Sequence, residues 1–149
     1  MAIAALVLIP LTVSALEYRD NSKLYTDAPF SAAEKAAINV LTELGAIEGN
    51  PDGTFAPRRT LNRAEFLKIA FASHPNIRVS TADAGNCFPD VRQGDWFSRY
   101  VCLAQKRGTV QGYPDGNFRP AQAVNYAEAL KMLSELYDYV VFTSDDEEW

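Results

Sequence analysis

The sequence predicts an all-α protein built from tandem helix-turn-helix repeats, with short turns between the helices. One observation is a nine-residue stretch, Gly112-Tyr113-Pro114-Asp115-Gly116-Asn117-Phe118-Arg119-Pro120. It has a twin 63 residues upstream in Gly49-Asn50-Pro51-Asp52-Gly53-Thr54-Phe55-Ala56-Pro57, identical at six of nine positions. Pro presets φ for a turn, Asp follows, and Gly supplies the left-handed residue that closes it. The second observation is that 25–69 and 88–132 share 13 of 45 residues, mostly at caps, turns and helix stops. Those positions decide backbone geometry, so the duplication is structural. Third, apolar residues recur at helical spacing on both sides of each turn.

The elements follow in order. Ser31 and Glu34 form a capping box that opens a helix striped by Ala33, Ala36, Ala37, Val40, Leu41 and Leu44, with Gly45 as its stop. Ile47 is a short buried link into the first turn. Past Pro57, Asn62 and Glu65 cap a second helix carrying Ala64, Leu67, Ile69, Ala70 and Phe71, ending near Ser73. Residues 74–86 read as a connecting loop with an extended segment around Ile77 to Val79. Asp95 is expected to cap a third helix bearing Trp96, Phe97, Tyr100, Val101 and Ala104, with Lys106 and Arg107 suiting its last turn and Gly108 stopping it. Asn125 and Glu128 frame the fourth helix, with Leu130, Met132, Leu133 and Leu136. The repeats therefore span 25–73 and 87–141, preceded by a leader and linker over 1–24 and followed by 142–149.

Composition bounds function. An apolar fraction of 48% excludes wholesale disorder. Of the net charge of -5, Asp145, Asp146, Glu147 and Glu148 supply most, so the body is nearly neutral and has no basic cluster suited to nucleic acid. Residues 1–16 carry no charged side chain. That run is short for a membrane span, which needs roughly 20 residues, and Val13-Ser14-Ala15 resembles a cleavage site, so an export signal over 1–15 is expected. No Lys or Arg precedes it and Pro10 interrupts it, which leaves a retained membrane or filament anchor, a mis-set start or a buried helix as alternatives.

Cys87 and Cys102 have counterparts Leu24 and Asn39 in the first copy, so both are absent together from one copy and present together in the other. A bonded pair would look like this in an oxidising compartment; two separate buried thiols are the alternative. The two cysteines with the lone His74 are too few for a zinc site, and no cofactor is expected. The Pro-Asp-Gly loops fail the EF-hand pattern, since counting from Asn50 puts Gly fourth and Leu61 twelfth. No nucleophile has a base placed by a recognisable motif, so catalysis is not expected.

These residues resemble the S-layer homology repeat, which holds bacterial surface proteins on the cell wall. Phe88, Asp90, Trp96, the 112–120 stretch and Ala127-Glu128 match its pattern in the second copy. In the first, Asp27, Gly49, Pro51 to Gly53, Phe55, Pro57 and Arg63-Ala64-Glu65 match. Tyr126 stands where the motif has Arg in the second copy, and Ala33 where it has Trp in the first. The resemblance covers about 25–138. It implies a pseudo-symmetric helical body, usually of three repeats, with grooves that take anionic secondary cell-wall polysaccharide. The residues it implies for glycan binding are Arg63, Asp90, Trp96 and Asp27, to which Tyr113 and Arg119 are added as side chains on an exposed turn. The alternatives are a core place for Trp96, a helix or turn cap for Asp90 and a carboxylate partner for Arg63. Phe142, Asp145 and Trp149 echo the start of a third repeat, although an acidic solvated tail is the plainer expectation.

Two functions follow as expectations. The first is a non-catalytic, exported cell-envelope module that binds cell-wall polysaccharide or another envelope component at the bacterial surface. The second is a structural or assembly subunit whose repeats pack against other subunits, with membrane contact only if 1–16 is retained.

Overall fold

The structure, a computed structural model, describes residues 20–27 and 29–138; the leader's export signal or anchor and the tail's third-repeat echo lie outside them. Four helices, α1 (Ala32–Glu43), α2 (Arg63–Ser73), α3 (Ser98–Lys106) and α4 (Tyr126–Leu136), are joined by turns. Short 3-10 turns stand at Asn21–Leu24 and Thr81–Asp83. The described residues contain only isolated β-bridges and no strand, so the fold is all-α as expected.

Three helices start where their caps predict. Ser31, Asn62 and Asn125 each accept from the backbone amide three residues on, while Glu34, Glu65 and Glu128 reach back to the cap amide. Each such cap contributes about 1 kcal/mol. The third helix differs. Asp95 does not cap it: its carboxylate accepts from the Arg92 amide, 2.8 Å, and closes the preceding turn. The helix begins at Ser98, so Trp96 and Phe97 lie ahead of it. The carboxylate reaches back to an amide three residues earlier, so it is spent on that turn and is not offered to the amides of the helix ahead.

The two nine-residue turns fold alike. Asn50 and Tyr113 donate their amides to Thr54 and Asn117, both at 2.8 Å, and Gly53 and Gly116 share φ of +83°. Gly112 also needs φ of +77°, and a Cβ there would stand 2.7 Å from the Phe88 ring. Asp27 and Asp90, each at the start of a repeat, clamp these turns from 28 and 29 residues away. Asp27 accepts from Phe55 and Ala56 amides at 2.9 and 2.7 Å; Asp90 accepts from Phe118 and Arg119 amides at 2.9 and 2.6 Å. The clamps hold Ala56 and Arg119 at positive φ, which non-glycine residues adopt only when something fixes them.

The core is unequal between the copies. Phe71, Leu67, Val101, Phe118, Met132 and Leu136 join helices α2, α3 and α4 in one main cluster, and Ile77 of the connecting loop is buried in it. Removing Phe71 or Phe118 from water contributes about 2–3 kcal/mol apiece. A smaller cluster of Tyr25, Phe30 and Ile38, with Phe55 against it, supports α1. Cys87 and Cys102 are disulfide-bonded, tying the start of the second repeat to α3. In the first repeat, Asn39, the counterpart of Cys102, accepts from the Asn21 amide, 2.7 Å. The short 3-10 turn at Asn21–Leu24, within the stretch read as a linker, packs against α1. The stripe expected on α1 is also turned the other way: Ile38 and Asn39 are buried, while Ala33, Ala36, Ala37, Val40 and Leu44 are exposed.

Candidate functional site

The two repeats meet where the first turn of α2 pairs with the chain just past the second nine-residue turn. Asn62 and Ala123 form an antiparallel bridge. Arg63 and Ala64 amides donate to Gln122 and Pro120 carbonyls at 2.9 and 3.1 Å, and the Val124 amide donates to Leu61 at 3.0 Å. This junction carries the Arg63 side chain into the second repeat.

Arg63 is 5% exposed. Its Nε donates to the Phe118 carbonyl, 2.9 Å, and Nη1 pairs with Glu128 Oε1, 3.1 Å. The guanidinium carbon lies 4.8 Å from the centroids of both the Tyr113 and Phe118 rings, a cation–π arrangement in a partly dry site. Tyr113 donates its hydroxyl to Glu128 and accepts from Gln122 Nε2, 2.7 Å. The Arg119 guanidinium stands 4.1 Å from the same Tyr113 ring and pairs with Asp115 at 2.9 Å.

The charges are tuned accordingly. Burial, then the bond to Glu128, raises the Tyr113 phenol above its ordinary range. Burial works against ionisation of Glu128, but the Tyr113 hydroxyl, the Asn125 amide and the Arg63 charge together hold its carboxyl below the usual value. Asp115 is lowered to about 2, first by the Asn117 amide and then by Arg119. Asp27 is lowered chiefly by the Phe55 amide.

Beside this cluster lies a cleft of about 190 Å³, lined by Arg63, Thr109, Gln111, Tyr113, Glu128 and Lys131 among others. Its opening therefore carries two cations, one carboxylate, an aromatic face and several neutral donors. Such a set suits an anionic hydroxylated ligand, since the guanidinium fork matches carboxylate or phosphate and the ring offers a stacking face. Among the described residues no group of acidic, His or Cys side chains could hold a metal.

The residues singled out in the sequence separate into three sets. Arg63 and Tyr113 meet in the cleft, with Arg119 on the outer side of Tyr113. Asp27 and Asp90 spend both carboxylate oxygens on turn amides. Trp96 is 54% exposed, packs edge-on against Phe97 with centroids 5.3 Å apart, and does not line the cleft. Sequence reasoning missed Thr109, Gln111, Glu128 and Lys131 as cleft residues. One signal for Glu128 was available: Glu65 pairs with Arg59 at 3.0 Å, whereas the matching position 122 is Gln, so that partner is missing in the second repeat and Glu128 pairs with Arg63 of the preceding one.

Comparison with known proteins agrees with this architecture. The S-layer homology domain family matches at residues 24–67 and 88–130. The chain is 29% identical over 88% of its length to the middle cell wall protein of Brevibacillus brevis, of which it covers 13%. It is 34% identical over 76% of its length to a surface layer protein of Brevibacillus choshinensis, covering 10% of that protein. It is 28% identical over 78% of its length to the cellulosome-anchoring protein of Acetivibrio thermocellus, covering 26%. The chain thus spans only a small part of these relatives. With two repeats matched in register and the turn, clamp and cap geometry shared between them, the chain belongs to the S-layer homology domain family.

Proposed function

We infer that this chain is a non-catalytic envelope module that attaches an exported protein to the bacterial surface by taking an anionic unit of secondary cell-wall polysaccharide into the inter-repeat cleft. The observation that supports this best is the meeting of Arg63, Lys131 and the Tyr113 ring at one opening. Arg63 spends Nε and Nη1 inside the protein, which leaves Nη2 for a ligand oxygen. At about 190 Å³ the cleft is below the roughly 300 Å³ of ordinary ligand pockets, so it takes about one sugar ring with its acidic substituent. Asp27 and Asp90 serve binding indirectly by fixing the turns, Arg119 holds the Tyr113 ring, and Trp96 offers a separate exposed face.

Calorimetry with purified wall polysaccharide tests this. Lys131→Ala, at an exposed position, is expected to weaken binding about tenfold, equal to about 1.4 kcal/mol, with unfolding unchanged. Absence of binding by the full chain, or binding indifferent to both Lys131→Ala and Arg63→Lys, rejects the cleft as the site. The relatives named for anchoring and for cell wall or surface layers support attachment as the outcome of binding.

A further inference from the structure

The junction between the repeats has a donor half on α2 and an acceptor half on the second turn and α3. Both halves recur, 63 residues away, at the two ends of the described body. On α2, Arg63 is 5% exposed and Leu67 fully buried against the second repeat. Their counterparts on α4, Tyr126 and Leu130, are 80% and 48% exposed. On α3, Tyr100 and Leu103 pack into the main core. Their counterparts on α1, Ala37 and Val40, are exposed, Val40 at 56%.

The backbone repeats the same pattern. Arg63 and Ala64 amides find Gln122 and Pro120 carbonyls at the closed junction. In register, the Tyr126 and Ala127 amides stand in the first turn of α4 with no partner of that kind among the described residues. The Arg59 and Pro57 carbonyls, their matching acceptors, lie on an exposed segment. One end thus presents donors and an apolar leucine, and the other presents acceptors and an apolar helix face. The template for joining them is already built inside the chain.

We propose that a second copy of this chain docks head to tail, the α4 face of one copy (Tyr126, Ala127, Leu130) closing on the α1 face and first turn of the next (Ala37, Val40, Leu44). The contact is heterologous, so rotation decides whether a ring closes or a filament grows. The new junction differs from the internal one in chemistry. Tyr126 replaces Arg63 and Asn50 replaces Tyr113, while Glu65 is already paired with Arg59. The inter-copy contact therefore lacks the guanidinium of the internal cleft and serves assembly through apolar burial and backbone pairing. This does not rest on glycan binding.

The test is sedimentation of the full chain with two exposed-face variants, Leu130→Glu and Val40→Glu, with Tyr126→Glu as a second variant of the α4 face. Wild type is expected to grow in mass with concentration above the 16.5 kDa of one chain. Each variant alone is expected to be at least tenfold weaker in association. An equimolar mixture of Leu130→Glu with Val40→Glu is expected to give one pair of two chains, because each partner retains the face the other lacks. A two-fold symmetric contact would not be restored by mixing, and that result overturns the proposal. Wild type that stays monomeric at millimolar concentration overturns it as well, as does association indifferent to all three substitutions. Circular dichroism and thermal unfolding equal to wild type confirm that the variants are folded.

Discussion

Replacing Arg63 by alanine measures what holds the two repeats together. The substitution removes the Nε bond to the Phe118 carbonyl and the Nη1 pair with Glu128, along with a guanidinium packed on two rings. Breaking one partner of a buried pair costs about 3–5 kcal/mol. The lower end applies here, because the Glu128 side chain is 21% exposed and keeps its bonds from Tyr113 and the Asn125 amide. The expected loss is therefore about 3 kcal/mol, or about 10 °C in Tm for a body of this size. Urea unfolding with the disulfide intact is the assay, and the midpoint is expected to fall with the slope unchanged. Arg63→Lys is expected to recover less than half of the loss, since an ammonium cannot reach Phe118 and Glu128 in the same fork. A double cycle with Glu128→Gln isolates the pair itself, with an expected coupling of about 1.5–3 kcal/mol. A loss below about 1 kcal/mol for Arg63→Ala would refute the claim that this side chain joins the repeats.

Three further outcomes follow from the same geometry. Reducing the Cys87–Cys102 bond, or replacing both residues by alanine, is expected to lower stability by about 3 kcal/mol for a loop of 15 residues, read from urea midpoints. Gly112→Ala is expected to cost about 2 kcal/mol or more in the same measurement, because its Cβ meets Phe88 at 2.7 Å and the residue sits at φ +77°. Acid unfolding is expected to begin below the ordinary carboxylate range. The folded values of Asp115 (about 2), Asp27, Asp52 and Glu128 all lie below their unfolded ones. Their contribution is thus complete above about pH 4–4.5 and lost as pH falls through the folded values. Tyr113 is shifted the other way, so its contribution is present below about pH 10 and lost as pH rises through its folded value. A stability profile flat from pH 5 to pH 2 would contradict the carboxylate bonds.

What was legible in the sequence was local. Ser31, Asn62 and Asn125 each settle a helix start through atoms within three residues, and the nine-residue turns close on themselves. The cysteine pairing showed because both partners vanish together from the other copy. What was not legible depends on which surface meets which. The stripe on α1 has core-like spacing, yet its counterpart α3 is covered only because α2 of the preceding repeat lies across it. Trp96 missed its helix because Asp95 bonded to Arg92 and moved the start two residues past it. Arg63 was recognised as a binding candidate, but its embrace of Glu128 needed the junction to be seen. The clamping roles of Asp27 and Asp90 span 28 and 29 residues, beyond any local pattern.

The disulfide has a mechanical side. A protein anchored through this module would be pulled along its chain, and extension would unravel the repeats from their ends. Cys87 and Cys102, 15 positions apart, short-circuit the path of force, so the segment between them, including the first turn of α3, cannot be drawn out. At about 3.5 Å per extended residue, roughly 50 Å of contour length stays hidden while the bond is intact. Tyr100 and Val101, which pack into the main core, lie inside that protected loop. Under load the cross-link therefore keeps these two core residues within one short closed loop of the second repeat, a limit on extension that the first repeat, with Leu24 and Asn39 at the matching positions, does not have.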